Sequence, residues 1–137
     1  MVWNIVSDSS CDYLPSMFSS DLINFESVPL RIQVGTREFV DNEALDVPVM
    51  LAAMADEKTA SSTSCPSPAA FARAFEKGEK TLCFTISSNL SGTYNAAVMG
   101  RELLLDEQNE DEPQPETTPK KSAALPKQTV EADIVTL

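Results

Sequence analysis

Three short stretches of the sequence concentrate hydroxyl groups and could bind an oxygen-rich ligand. They are "SDSSCD" at residues 7–12, "SSTSCPS" at 61–67 and "SSNLSGT" at 87–93. In the third stretch, Gly92 permits a positive φ angle or a close approach of the backbone. The helix expected to follow offers unpaired N–H groups and the positive end of its dipole. With the hydroxyls of Ser88, Ser91 and Thr93, this pattern predicts a compact site for a carboxylate or phosphate oxygen without formal positive charge.

The same hydroxyls also have an ordinary structural interpretation. Serine and threonine before a helix are common N-caps, and this alternative stays open for Ser91 and Thr93. In the first stretch, Asp8 and Asp12 would repel an anion unless one of them points away. Two carboxylates without dedicated spacing form a poor cation cage, so no metal site is expected.

The residue inventory argues against catalysis. The sequence contains no histidine, which excludes Ser-His and Cys-His arrangements within the chain. Neither a GxSxG elbow nor a GxxxxGK[ST] phosphate loop occurs. We interpret Cys83 as a core residue and Cys65 as a loop thiol. We therefore expect no catalytic residue and no cofactor.

Strands and helices alternate along the part of the chain that carries these stretches. The apolar runs "VWNIV" and "TLCFTIS" predict buried strands that end at the first and third stretches, and a helix is expected from about Leu14. "VPLRIQV" and "REFV", joined by "GT", predict a β-hairpin. Helices are predicted after Asp46, after Ser67 and over "YNAAVMGRELLLDE", and "VEADIVTL" begins a further strand. This order predicts an α/β fold with an open, mostly parallel sheet and flanking helices.

Composition and charge exclude several kinds of partner. The net charge of −11 and the low aromatic content argue against nucleic-acid binding. No apolar run approaches the length needed to span a bilayer, so no stable membrane insertion is expected. Three cysteines without close pairing and the absence of a secretory signal indicate a cytoplasmic protein. The acidic, proline-rich residues 106–128 cannot bury enough apolar surface to fold and are expected to form a disordered linker or insertion.

Four segments together resemble the DegV family of bacterial fatty-acid-binding proteins. They are "IVSDSSCDYLP", "VPLRIQVGTREFVDN", "TSCPSPAAF" and "ISSNLSGTYNAA", in the family's order and at about its spacing. The resemblance covers residues 1–105 and implies a DegV-like N-terminal domain that buries an acyl chain. It also implies that Thr63 and Ser91 hold the fatty-acid carboxylate, with Ser88, Gly92 and Thr93 in support. In some family members the fatty acid is presented to a kinase.

The match also departs from the family in three places. Cys65 occupies a position where glutamine is common, and residues 106–128 replace a short connection. Residues 129–137 correspond to the start of a further strand, beyond which the family continues into a second domain that is absent from this chain. A non-enzymatic fatty-acid carrier is therefore the first hypothesis. The alternatives are a small-molecule or phosphate-binding enzyme domain that uses the same loop, and a non-binding half that needs a partner domain.

Overall fold

A four-stranded parallel sheet forms the centre of the structure. The computed structural model describes residues 3–18, 20–110 and 131–136. The strands are β1 (Trp3–Asp8), β2 (Ile23–Val28), β6 (Lys80–Thr85) and β7 (Glu131–Thr136), in the spatial order β2-β1-β6-β7. Because every neighbouring pair is parallel, the carboxyl ends of β1 and β6 lie side by side at one edge. The predicted open parallel α/β fold is confirmed.

Two helices cover one face of this sheet and form the core with it. They are α2 (Pro68–Phe75) and α3 (Thr93–Glu110). The residues buried between the helices and the sheet are Val6, Val28, Phe71, Ala74, Phe75, Cys83, Ala96, Ala97 and Leu104. The Ser67 hydroxyl caps α2 by accepting from the backbone N–H of Ala70 at 3.2 Å. Among the described residues, no helix combines the length and the hydropathy needed to cross a membrane.

A second, antiparallel sheet carries the hairpin and part of the second hydroxyl stretch. Its strands are β3 (Arg31–Val34), β4 (Arg37–Val40) and β5 (Ser62–Ser64), in the order β4-β3-β5. The predicted hairpin is present, and Gly35 at its turn has a φ of 59°. Between β4 and β5 lies α1 (Val47–Asp56), whose first turn is capped by the Asp46 carboxylate, as the sequence predicts.

A buried asparagine joins the amino-terminal half of the main sheet to α2. Asn4 is fully buried, and its Nδ2 donates to the carbonyl oxygen of Ala74 at 2.8 Å and to the Thr81 hydroxyl at 2.9 Å. Its Oδ1 accepts from Asn24 Nδ2 at 2.8 Å, and the Thr81 hydroxyl donates to the Phe75 carbonyl at 3.2 Å. The amide of Asn4 thus has hydrogen-bond partners on β2, β6 and α2 although it is buried. These directional bonds fix how β1, β2, β6 and α2 pack against one another.

The structure differs from the sequence predictions in two local elements. The helix expected from about Leu14 is only a 3-10 turn at Pro15–Met17, because the chain then extends into β2, which is not predicted from the sequence and whose first five residues are all half-buried. The second hydroxyl stretch is not entirely a loop, since β5 pairs with β3 in antiparallel register.

The acidic segment begins within a helix. α3 continues to Glu110, so residues 106–110 of the predicted linker are helical, and three of these five residues, Glu107, Gln108 and Glu110, have good helix propensity. Residues 111–128 lie outside the described residues, and the predicted domain boundaries remain predictions. The strand predicted near the end of the sequence is present as β7.

The close approach of α2 and α3 generates a stability prediction at Gly100. A Cβ at this position would lie 2.6 Å from the carbonyl oxygen of Pro68 and 2.8 Å from Phe71 Cβ. Backbone atoms cannot turn away, so Gly100→Ala should lower the free energy of unfolding by about 1 to 2 kcal/mol, despite the better helix propensity of alanine. Urea denaturation measures this change. Asn95→Ala, on the exposed side of α3, is the control and should leave stability unchanged or slightly raised; equal stability of Gly100→Ala and the parent would contradict the close packing.

Candidate functional site

The carboxylate of Asp8 joins the first and third hydroxyl stretches. Asp8 is the last residue of β1 and is fully buried. Its Oδ1 accepts from the backbone N–H of Ser10 at 2.9 Å and from the Ser10 hydroxyl, and its Oδ2 accepts from the N–H of Ile86 at 2.7 Å. These bonds tie the end of β1 to the residue that follows β6. Asp8 therefore points inward and Asp12 is exposed.

The start of α3 brings two of the predicted site hydroxyls together. Ser91 Oγ lies 2.9 Å from Thr93 Oγ1 and accepts from the Thr93 N–H at 3.3 Å. Thr93, the first residue of α3, is fully buried, whereas Ser91 is partly exposed. The pair thus combines a cap-like contact with a hydroxyl that solvent can reach, and the anion site predicted at these atoms stays a prediction.

The first half of the third stretch is anchored to β7. The N–H of Ser88 donates to the Thr136 hydroxyl at 2.9 Å, and that hydroxyl donates to the Ile86 carbonyl at 3.3 Å. Ser88 itself is exposed. The turn that follows is closed by Leu90 N–H and Ser91 N–H, which both donate to the Ser87 carbonyl. The sequence did not reveal Thr136 as a support for this loop, because β7 is distant along the chain.

Gly92 marks the point where the second and third hydroxyl stretches meet. A Cβ on Gly92 would lie 3.7 Å from Cys65 Sγ, which is ordinary van der Waals contact. Cys65 follows β5 directly, and Thr63 lies on β5 opposite Ile32 with an exposed side chain. This proximity brings the segment that contains Thr63, in the second sheet, to the loop that contains Ser91, between β6 and α3.

Gly92 does not have the positive φ angle that was one of the two possible reasons for a glycine at this position. Among the described glycines, Gly35 alone has a positive φ angle. A side chain at Gly92 would also meet no tight contact. Gly92 lies beside Cys65, and the loop does not require a backbone conformation there that only glycine adopts.

A cavity beside the first stretch combines residues of that stretch with residues that the sequence did not indicate. Its volume is about 340 Å³, and it is lined by Ser9, Cys11, Asp12, Tyr13, Leu14, Pro15, Ser27, Asp41, Asn42 and Glu43. Glu43 Oε1 accepts from the N–H and hydroxyl of Ser16, which holds the segment after β4 against the 3-10 turn. Within the described ranges, no group of three or more potential ligands could hold a metal ion. Of the acidic residues in this lining, Glu43 therefore has a defined role in joining two loop segments.

The three cysteines occupy different environments, all without disulfide bonds. Cys83 is fully buried in the core, as predicted, and burial together with the negative charge of Asp8 raises the pKa of its thiol to about 12. Cys65 is exposed beside Gly92, as expected for a loop thiol, and Cys11 is partly buried. The exposed thiol at the meeting point of the two stretches is therefore chemically accessible, and the core thiol is not.

Comparison with protein families places all three hydroxyl stretches within one match. The protein family described as "Uncharacterised protein, DegV family" matches residues 2–117 of this chain. A DegV domain-containing protein of Streptococcus pyogenes is 39% identical over 107 residues, which cover 78% of this chain and 38% of that protein. A DegV domain-containing protein of Streptococcus gordonii is 41% identical over the same length. The chain thus spans 38% of the length of these curated relatives.

Solved structures with the same fold contain bound fatty acids. The Streptococcus pneumoniae fatty acid kinase (Fak) B3 protein loaded with linoleic acid has a TM-score of 0.79 and 30% identity, covering 98% of this chain and 41% of that chain. A DegV family protein from Ruminococcus gnavus with vaccenic acid has a TM-score of 0.74 and 26% identity, with the same coverage of both chains. A stearic-acid-binding protein from Eubacterium ventriosum has a TM-score of 0.65 and 26% identity.

The hydrogen bonds of Asp8 generate a prediction about stability. Asp8→Asn keeps the shape of the side chain, but its amide NH₂ must face at least one of the N–H or hydroxyl donors. We expect the free energy of unfolding to fall by about 2 kcal/mol, the scale of a hydrogen bond to a charged group. Chemical denaturation provides the measurement, and Asp12→Asn at the exposed end of the same stretch is the control. Equal losses in the two variants would show that the buried bonds do not stabilise the strand ends.

The environments of the three cysteines generate a prediction about thiol labelling. Reagents of the Ellman type react with the thiolate, so Cys83 should remain unlabelled in the native protein at pH 8. Two thiols should react rapidly and the third only after addition of denaturant. In Cys65→Ser, one rapid thiol should remain. Rapid labelling of three thiols in the native parent would contradict the buried position of Cys83.

Proposed function

The chain belongs to the DegV family, and from this premise we propose that it binds a long-chain fatty acid as a carrier. The proposed ligand buries its acyl chain in the protein and places its carboxylate at the start of α3. The observation that carries the proposal is the proximity of Cys65 to Gly92, where an added Cβ would lie 3.7 Å from Cys65 Sγ, because it brings together the two sequence segments that correspond to the family's head-group motifs. The relatives with linoleic, vaccenic and stearic acid support the ligand class.

In the proposed complex, Thr63 and Ser91 donate hydrogen bonds to the carboxylate. Both side chains are accessible, since Thr63 is exposed on β5 and Ser91 is partly exposed before α3. Thr93 supports Ser91 through their 2.9 Å contact, and Ser88 and Gly92 belong to the loop that carries Ser91. The first-turn N–H groups and dipole of α3 add favourable interactions with an anion.

Hydroxyl groups suit a carrier that must exist both loaded and empty. A lysine or arginine in a buried head-group site would need a partner charge whenever the ligand is absent. A hydroxyl can instead donate to the carboxylate and, in its absence, bond to a neighbour, as Ser91 does with Thr93. The empty site therefore avoids an unpaired buried charge.

We propose that the bound fatty acid is presented to a fatty acid kinase rather than transformed by this chain. The similarity to the Streptococcus pneumoniae Fak B3 protein supports the partner. The absence of histidine from the sequence supports a carrier without its own acid–base catalyst. Three free cysteines support a cytoplasmic location, where thiols remain reduced.

A second candidate is a half that binds lipid only when a partner region covers the main sheet. The face of the sheet opposite α2 and α3 exposes Trp3 at 48% and Val135 at 41%. The neighbouring apolar residues Ile5, Phe25, Leu82 and Phe84 are only partly buried on this face. An apolar face that the described residues leave partly exposed is typical of a surface that contacts another protein region. In this case the chain alone would purify without lipid.

Removal of the head-group hydroxyls tests the carrier. Ser91→Ala should weaken oleate binding by roughly 1 to 3 kcal/mol, the cost of one charge-assisted hydrogen bond, and Thr63→Ala together with Ser91→Ala should weaken it further. Mass spectrometry of a solvent extract identifies the co-purified lipid, and fluorescence titration with labelled oleate gives the affinity.

Asn95→Ala is the matched control, because Asn95 is exposed on the same helix two residues after Thr93 and its side chain is not one of the proposed head-group contacts. It should bind oleate like the parent. If the double variant retains oleate with parental affinity, the head-group assignment is wrong. If the folded parent neither carries lipid nor takes up oleate, the carrier function fails and the half that needs a partner region is favoured.

A further inference from the structure

Thr85 has a buried hydroxyl that the proposed site has not yet used. It is the last residue of β6, its side chain is about 1% exposed, and no described protein group forms a hydrogen bond with its Oγ1. Buried hydroxyls are rarely left unpaired, because the lost hydration is then not replaced. Thr81, on the same face of the same strand, shows the usual situation: its hydroxyl accepts from Asn4 and donates to the Phe75 carbonyl. Thr85 therefore requires an explanation that Thr81 does not.

The fold places Thr85 beneath the first turn of α3. Alternate residues of β6 face the helices, and Cys83 on this face packs in the core with Ala97. In a strand–helix–strand crossover the helix runs back along the sheet, antiparallel to the strands. One turn before Ala97, the fully buried Thr93 consequently lies near the strand position two residues after Cys83. That position is Thr85.

A second neighbour of Thr85 is the carboxylate of Asp8. The parallel register pairs Ser7 with Phe84, so Asp8 and Thr85 follow side by side on adjacent strands. Asp8 already accepts two bonds from Ser10 and one from Ile86. A second anion close to Asp8 would be repelled unless a donor lies between them, and Thr85, on the neighbouring strand, carries a hydroxyl that has no described partner.

We propose that the Thr85 hydroxyl donates a hydrogen bond to the carboxylate oxygen that enters deepest at the start of α3. This inference rests on the proposed fatty-acid binding and adds a residue to that site. Three features support this inference. The 18-residue helix α3 directs its N-terminus to the site. Ser91 provides a hydroxyl at the solvent-accessible side of the site, and Thr85 provides an unpaired hydroxyl at its buried side. Ligand binding satisfies a donor that the rest of the described protein leaves without an acceptor.

Two substitutions of Thr85 separate the hydroxyl from the shape of the side chain. Thr85→Val replaces the unpaired hydroxyl by a methyl group, so the melting temperature of the ligand-free protein should be equal to or above that of the parent. Its oleate affinity should fall about tenfold, which corresponds to about 1.4 kcal/mol. Thr85→Ser keeps the hydroxyl and should retain the parental affinity within about threefold.

Thr81→Val is the matched control on the same strand and face. It removes a hydroxyl that has two protein partners, so its melting temperature should fall while its oleate affinity, measured below that temperature, stays parental. Unchanged oleate affinity in Thr85→Val overturns the inference and leaves the carrier function in place. A lower melting temperature of ligand-free Thr85→Val, with parental affinity, would assign the hydroxyl to Asp8 and also overturn it.

Butyrate separates the head-group site from binding of the long chain. Titration of the ¹⁵N-labelled parent with butyrate should shift the amide signals of Ser91 and Thr93, and Thr85→Val should weaken these shifts. If butyrate gives this pattern but oleate does not bind, the inference holds and the carrier function fails. If the parent binds neither molecule, both are overturned.

Discussion

One buried carboxylate positions the two strand ends on which the candidate site depends. Asp8 ends β1, and its oxygens accept bonds from Ser10 on its own loop and from Ile86 after the neighbouring strand. Parallel strands bring their carboxyl ends to one edge, but they do not by themselves fix the loops that leave those ends. The Asp8 bonds fix both loops relative to each other, because a buried charge without all its donors would be costly.

Polar groups at both ends of β1 give the core a specific arrangement. Asn4 joins three strands and α2 at the amino-terminal end, and Asp8 joins the loops at the other end. The apolar residues between them could pack in more than one register, whereas directional hydrogen bonds have few satisfactory arrangements. The close approach of α2 to Gly100 adds a steric limit on how the helices lie over this strand.

The sequence predicted the elements whose signals are local. The hairpin followed from Gly35, the start of α2 from Ser67 and Pro68, and the buried strand β6 from its continuous apolar run. The sequence missed β2, whose pattern is half-buried, and β5, whose three hydroxyl residues have no apolar signal. Likewise, hydroxyl-rich composition indicated the stretches of the candidate site, but their meeting at Cys65 and Gly92 depends on the packing of distant segments. The unpaired Thr85 hydroxyl could be seen only in three dimensions.

The position of Thr63 on β5 has a consequence for local motion. β5 contains three exposed residues and, among the described strands, pairs only with β3. Such short edge strands open at a small free-energy cost, and their amide hydrogens exchange rapidly with solvent. A ligand held by Thr63 would slow this exchange, since opening of β5 would then require its release. A ligand bound at the start of α3 would thereby reduce the conformational entropy of the second sheet without any large movement of the backbone.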